Sequence, residues 1–459
     1  MLSSVLQTVD SRREQSVAAL KEFLAIPSIS ARPDNQMEMR RCAQWLADHL
    51  IFAGLDVKVM PTNAGNGQPV VVARNKHIAG RPTVLLYGHY DVQPPEPLEL
   101  WTSPPFEPTV RNNAIYARGA ADDKGQVWAH VEAIMAWQAH SGLPVNLIVL
   151  VEGEEEIGSS NLTAFIREHR DALRANIAVV SDTNQYARGI PAITYGLRGI
   201  VYMEITVTGP SHDLHSGLYG GAVANPANVL CQLLATLHDR DGRVNIRGFY
   251  DKVRPIAADE RAMWARLPQD EIKLAAELKL PGLAGEVGFS ALERSWARPT
   301  CDINGLTSGY QGPGGKTIIP SKASAKVSMR LVPDQDPVAV RDAFIEALRQ
   351  RCPKSVALQI TCESCVPPVL VPMHSPAMEL ASEAVEAGFG IRPTLIRGGG
   401  SIPVVETIKS TLGIDTLLIG FGLPDDRPHS PNEKFDLDAL HNGARTAAAL
   451  YERLARLAV

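Results

Sequence analysis

Two short segments, 83–87 (TVLLY) and 145–151 (VNLIVLV), are apolar at nearly every position, the pattern of strands covered on both faces. Between them Val127, Val131, Ile134 and Met135 recur at helical spacing, so 124–139 reads as an amphipathic helix. A second helical stretch at 160–173 is followed by another strand candidate, 177–181 (IAVVS). Strand–helix–strand order of this kind predicts an α/β domain with a mostly parallel sheet and helices on both faces.

The pattern changes near residue 199. In 201–208 (VYMEITVT), Val201, Met203, Ile205 and Val207 fall on one face of a strictly alternating strand. The segment 324–332 alternates too, with Val327, Met329 and Leu331 opposite Lys326, Ser328 and Arg330, and 356–361 (VALQIT) behaves similarly. Half-buried alternating strands predict an open sheet with one solvated face, and a helix at about 226–238 can cover the other. Residues 250–298 are charged and read as largely helical. From 376 the helical pattern of the first domain resumes, followed by a buried run at 416–421 (TLLIGF). The expected organisation is a discontinuous catalytic domain, 1–198 plus 373–459, with an inserted α+β domain at 199–372.

Composition narrows the function classes. Forty-five Lys and Arg against fifty Asp and Glu give a formal net charge of −5, which argues against nucleic acid or an anionic membrane as the partner. No run of about 18 apolar residues exists to span a bilayer. The N-terminal MLSSVLQTVDSRREQ lacks the basic start of a signal peptide, so a cytoplasmic location is expected. Six cysteines in 459 residues make no disulfide framework. Cys362 and Cys365 form one C-x-x-C with no second pair to match it, which reads as two ordinary strand cysteines, the alternative being a redox-active or metal-binding pair.

Acidic and histidine residues cluster where α/β folds place function, at the C-terminal ends of strands. His89 and Asp91 follow TVLLY in YGHYDV, and Asp122 and Asp123 precede the 124–139 helix in RGAADDKG. Glu154, Glu155 and Glu156 end the VNLIVLV strand, Asp182 follows IAVVS, and His429 lies in a loop beyond TLLIGF. Taken singly, each has an ordinary explanation as a hydrogen-bonded loop residue or a helix cap. Three adjacent carboxylates at the end of a buried strand repel one another and call for positive charge. Five such coincidences at strand ends favour a site for two divalent cations. Oxygen and imidazole donors without thiolate suit a hydrolytic centre for zinc, manganese or cobalt. Asp91, two residues beyond His89 on an extended chain, is placed to orient the imidazole.

The chain resembles the dinuclear zinc metallopeptidases that include carnosinase, cytosolic non-specific dipeptidase, glutamate carboxypeptidase, acetylornithine deacetylase and succinyl-diaminopimelate desuccinylase. The likeness is strongest to the carnosinase-like dipeptidase branch and runs through GHYDVQP, RGAADDKG, EGEEEIGS, DLHSGLYGG, KTIIPSKASAKVSMRLVP, GGGSIPV and HSPNEK. The resemblance implies two divalent metal ions per subunit, with Asp122 bridging them. His89 and Asp182 would complete one metal, and Glu156 and His429 the other. It makes Glu155 the general base and leaves Glu154 as an extra carboxylate. It also places a cis peptide between Asp122 and Asp123. The inserted domain resembles a lid and dimerisation domain, so a homodimer is implied, with His215 stabilising the oxyanion in the partner's site. Arg330 would clamp the terminal carboxylate of a small peptide substrate, and Thr317, Ser401 and His374 match substrate-contacting positions.

A phosphate-binding loop at GGKT (314–317) is excluded, since the pattern requires glycine where Tyr310 stands. The expected reaction is hydrolysis of dipeptides or short peptides. The alternative is an amidohydrolase of the same clan that removes an acyl or carbamoyl group from an amino acid.

Overall fold

The computed structural model describes residues 1–458, which divide into two compact units. The first comprises Met1–Tyr195, Val371–Ile396 and Pro403 onward; the second comprises Gly196–Leu370 and Arg397–Ile402. Sequence patterning gave no sign that Arg397–Ile402 would belong with the second unit. Among the described residues, no helix is long and apolar enough to cross a membrane.

The first unit is built on a sheet in which strands 56–60, 70–74, 146–152, 83–89, 177–180, 416–418 and 192–197 lie side by side. The four from Asn146–Glu152 to Thr416–Leu418 run parallel, and the flanking strands pair antiparallel. Every residue of Asn146–Glu152 and of Ile177–Val180 is buried, the signature of strands covered on both faces. Parallel central strands send their C-terminal ends, and the loops that follow, to one edge.

The helix after the second acidic motif spans Lys124–Gln138 but is not amphipathic. All positions from Lys124 to Trp137 are buried, because the helix packs against the N-terminal helices and the C-terminal helix Leu437–Leu454. Its polar side chains are each tied to the protein. Lys124 Nζ donates to the carbonyls of Phe23 (3.1 Å) and Ile26 (2.7 Å). Glu132 pairs with Arg12 at 3.0 Å. His130 meets Tyr451 Oη at 3.0 Å and Ser181 Oγ at 2.8 Å. Burial without a charged partner pushes His130 down to about 3, so it stays neutral.

A small antiparallel sheet, Lys434–Asp436 beside Ala114–Tyr116 beside Thr109–Arg111, completes the part of this unit that matters for chemistry. Its register sets Lys434 opposite Tyr116. The loop entering one strand and the loop leaving the other therefore run side by side.

The second unit holds a four-stranded antiparallel sheet ordered Thr300–Ser308, Lys322–Leu331, Gly199–Thr208, Ala357–Val366. Val201, Met203, Ile205 and Val207 meet Val327, Met329 and Leu331 in one core, covered by helices Pro226–Ala235 and Pro337–Arg351. The stretch 250–298, expected to be largely helical, holds three separate seven-residue helices, Ala258–Trp264, Glu271–Glu277 and Ala291–Ala297. Pro255, Pro268, Pro281 and the glycines at 282, 285 and 288 interrupt it.

Candidate dinuclear metal site

Three strand ends and two loops of the first unit deliver the acidic and imidazole groups to one place. His89 is the last residue of Thr83–His89 and fully buried. Gly88 before it makes this possible: a Cβ there would lie 2.4 Å from Val127 Cγ2 and 2.9 Å from Asp123 Oδ2. His89 Nδ1 faces the Asp91 carbonyl at 3.1 Å and the Asp91 carboxylate at 3.4 Å. Nε2 on the other side donates to Asp122 Oδ1, 3.0 Å away, so both ring nitrogens face acceptors; in the neutral ring Asp91 keeps the proton on Nδ1 and leaves the Nε2 lone pair free for a cation. Burial alone would lower the His89 pKa, but its hydrogen bonds to Asp122 and Asp91 outweigh that and hold it well above the ordinary value.

Asp122 stands between two histidines, with His429 Nε2 3.0 Å from its other carboxylate oxygen. The Asp122–Asp123 peptide is cis, as the resemblance implied. His429 Nε2 also lies 3.1 Å from Glu156 Oε2. Hydrogen bonds that His429 donates to the Asp122 and Glu156 carboxylates raise it to about 10. Two groups of donors result, each with atoms within 4.8 Å of one another: His89, Asp122 and Asp182, then Asp122, Glu156 and His429. Asp122 is common to both.

Protein groups alone leave this cluster electrostatically unbalanced. Burial, reinforced by Asp122 and Asp123, pushes the Asp182 carboxyl well above its usual range. Glu155 rises to about 7, through burial first; His89 opposes this, while Asp122, Glu156 and Asp91 add to it. Asp123 Oδ1 is buried with no hydrogen-bond partner. Two divalent cations fit such a donor set, which offers shared carboxylates, imidazole lone pairs and no thiolate.

The triple glutamate is sorted by its surroundings. Glu154 points away and is fully used: it accepts from the Gln68 N–H at 2.8 Å and from Asn161 Nδ2 at 2.8 and 2.9 Å. Glu155 and Glu156 open the short turn Glu155–Ile157, and their N–H groups donate to the Asp91 carboxylate at 3.2 and 3.1 Å. Asp91 thus holds the third motif onto the first as well as touching His89. Glu155 belongs to neither donor group.

Several supporting residues were not singled out in the sequence. Gln93 Nε2 donates to the Glu156 carboxylate at 2.8 Å and to its carbonyl at 3.1 Å. Glu433 is buried beside Arg118 at 2.7 Å and accepts the N–H groups of Gly119, Ala121 and Asp122 at 3.0–3.2 Å. That carboxylate ties the His429 loop to the Asp122 loop. Both residues sit inside motifs, GHYDVQP and HSPNEK, so motif membership was the available signal.

The second unit contributes a separate constellation. Arg330 Nη1 donates to Ser401 Oγ at 3.0 Å, and Ser401 Oγ donates to the Arg198 carbonyl. Burial and the neighbouring Arg330 guanidinium lower Arg198 to about 10, and burial lowers Arg330. Two half-buried guanidiniums of like charge suit an anion. Arg198 was not anticipated. His215 is exposed, in a two-residue strand paired with Ile318, and Thr317 is exposed beside it, its carbonyl accepting from the Ser216 N–H. His215 Nδ1 accepts from the Gly217 N–H at 3.0 Å, which leaves the neutral ring's proton on Nε2. His374, in the first unit, is exposed in the turn before helix Pro376–Phe389 and joins neither donor group.

Cys-Gly metallodipeptidase dug1 of Schizosaccharomyces pombe is 31% identical over 487 aligned residues, spanning 99% of this chain and 98% of that one. Human Beta-Ala-His dipeptidase is 30% identical across 100% of this chain and 93% of its own. The crystal structure of human carnosine dipeptidase 1 matches with a TM-score of 0.86 at 30% identity, covering 99% of both chains. The pattern that defines the peptidase family M20/M25/M40 matches residues 85–453. With that span and these full-length relatives, the chain belongs to the peptidase family M20/M25/M40.

Proposed function

We propose that this protein is a metallodipeptidase that hydrolyses the amide bond of dipeptides or short peptides with a free C-terminal carboxylate. The observation that carries this reading is the pair of donor groups sharing Asp122, set beside a glutamate that belongs to neither. Relatives of 30–31% identity along nearly the whole chain bear dipeptidase names. The likeness to a hydantoinase/carbamoylase-family amidase, at 15% identity, concerns the fold alone, so the acyl- or carbamoyl-removing alternative is not favoured.

In this reading His89, Asp122 and Asp182 hold one divalent ion, and Asp122, Glu156 and His429 the other, zinc being preferred over manganese or cobalt. Such ions, when bound, polarise the scissile carbonyl and acidify the attacking water. Glu155 takes the proton from that water and returns it to the leaving amine. Its position is fixed by the Asp91 carboxylate, which grips its backbone N–H. Arg330, with Ser401 and Arg198, receives the substrate's carboxylate; Thr317 and His374 are assigned to weaker substrate contacts. His215 offers its Nε2–H to the oxyanion of a partner subunit's site in a homodimer. The exposed Ile303 and Leu306 of edge strand Thr300–Ser308 favour a subunit contact through the second unit. A cytoplasmic location suits six free cysteines.

The test is a panel of dipeptides and N-acyl amino acids offered to zinc-, manganese- or cobalt-loaded protein. Hydrolysis of dipeptides, with N-acyl amino acids left intact, is expected; the reverse preference would sink the reading. A mixture of His215→Ala and Glu155→Gln chains, each nearly inactive, should recover about a quarter of full activity on subunit exchange. No recovery after demonstrated exchange would remove His215 from the partner's site.

A further inference from the structure

The C-x-x-C at 362–365 is not a pair of ordinary strand cysteines. In a regular strand, residues three apart point to opposite faces. Here strand Ala357–Val366 carries a β-bulge: Cys362 pairs with Met203, Ser364 with Tyr202 and Cys365 with Val201. Met203 and Val201 lie on the same, buried face of their strand. The extra residue, Glu363, therefore resets the alternation and brings both thiols to that face. Their Sγ atoms are 3.2 Å apart. Closing the remaining ~1 Å to a disulfide of about 2.05 Å needs side-chain rotation and no new backbone register. The strand is also an edge of its sheet, and Cys362 is exposed.

We infer that Cys362 and Cys365 form a reversible dithiol–disulfide pair, oxidised by low-molecular-weight aliphatic disulfides. The exposed Cys362, whose S–H points to the Ser364 carbonyl at 3.4 Å, loses its proton to solvent and attacks the incoming disulfide. One sulfur of the oxidant leaves as thiolate and the other stays on Cys362 as a mixed disulfide. Cys365 then gives up its proton, attacks Cys362 Sγ and expels the second thiolate. Two protein thiols are oxidised, and one small disulfide is reduced to two thiols. In the dithiol, burial first and then the neighbouring Cys362 push the Cys365 thiol up to about 12, with the Arg341 guanidinium opposing them.

Stoichiometry provides the test, with the exposed Cys231 as internal control. The full-length protein is equilibrated in mixtures of reduced and oxidised glutathione, free thiols are alkylated, and peptides are weighed. Oxidation of the pair depends on oxidised glutathione over the square of reduced glutathione. Mixed-disulfide formation at Cys231 depends on their simple ratio. Raising both forms tenfold at fixed ratio should thus lower the disulfide-to-dithiol ratio at 362–365 about tenfold and leave Cys231 unchanged. The oxidised peptide should lack two hydrogens and carry no glutathione. In Cys365→Ser, Cys362 should instead keep its glutathione adduct. Separate adducts on both wild-type cysteines, or a 362–365 signal that ignores the tenfold change, would overturn the inference. The readout does not involve peptide hydrolysis, so it stands or falls apart from the proposed function.

Discussion

Two sets of carboxylates, one buried and one half-buried, are treated in opposite ways. Glu154 and Glu433 face backbone and side-chain donors on nearly every oxygen. Asp122, Glu155, Glu156 and Asp182 face one another and two histidines. The first set is held by hydrogen bonds from the protein and fastens loops, although burial still raises Glu433 to about 7 against the pull of Arg118. In the proposed reading the second is left for cations and a proton to neutralise. A buried charge is tolerated when paired and hydrogen-bonded, and otherwise needs a ligand or a shifted pKa. The same side chain, three times in a row at 154–156, thus serves two ends.

The comparison breaks most visibly if the second set needs no metal. Dialysis against a strong chelator should abolish hydrolysis, and zinc, manganese or cobalt should restore it. Full activity in protein shown by elemental analysis to be metal-free would erase the distinction. Within that set, Glu155→Gln should keep both metals while turnover falls by about 10²–10⁴-fold, since an amide cannot carry the proton. Glu156→Gln should lose metal instead, and the opposite pattern of metal contents would exchange the two roles.

Substitutions in the first set should act on stability. Glu433→Gln leaves the Arg118 guanidinium buried without its counter-charge, and about 3–5 kcal/mol should be lost in chemical denaturation. A loss within error of zero would mean that Arg118 finds another partner. The smallest effect belongs to Glu154→Gln, which turns one acceptor oxygen into a donor facing Asn161. About 1–2 kcal/mol of stability should go, with metal content unchanged. Loss of metal in this variant would shift the ligand assignment by one residue.

Much of this was readable from the chain because the information is local. Apolar runs gave the central strands, and the groups that follow them in sequence, His89, Glu156 and Asp182, had to emerge at strand ends. Period-two alternation gave the second unit's sheet and put Arg330 on its polar face. Periodicity reads helix Lys124–Gln138 as amphipathic, but Lys124, His130 and Glu132, polar in the sequence, are buried by partners. Those partners lie far along the chain, where periodicity carries no signal.

By itself, then, the sequence determined the central strands, their order and the acidic and histidine residues that follow them, since these follow from short-range patterning and chain direction. Only the tertiary structure decided which of them meet. His429 reaches Asp122 across 307 residues because Lys434–Asp436 pairs with Ala114–Tyr116 and Glu433 fastens one loop to the other. The glutamates divide because Gln68 and Asn161 claim Glu154 while Asp91 anchors the two that follow. The cysteines share a face because Glu363 is extruded from its strand's ladder. Each outcome rests on hydrogen bonds between distant segments, and no local preference encodes them.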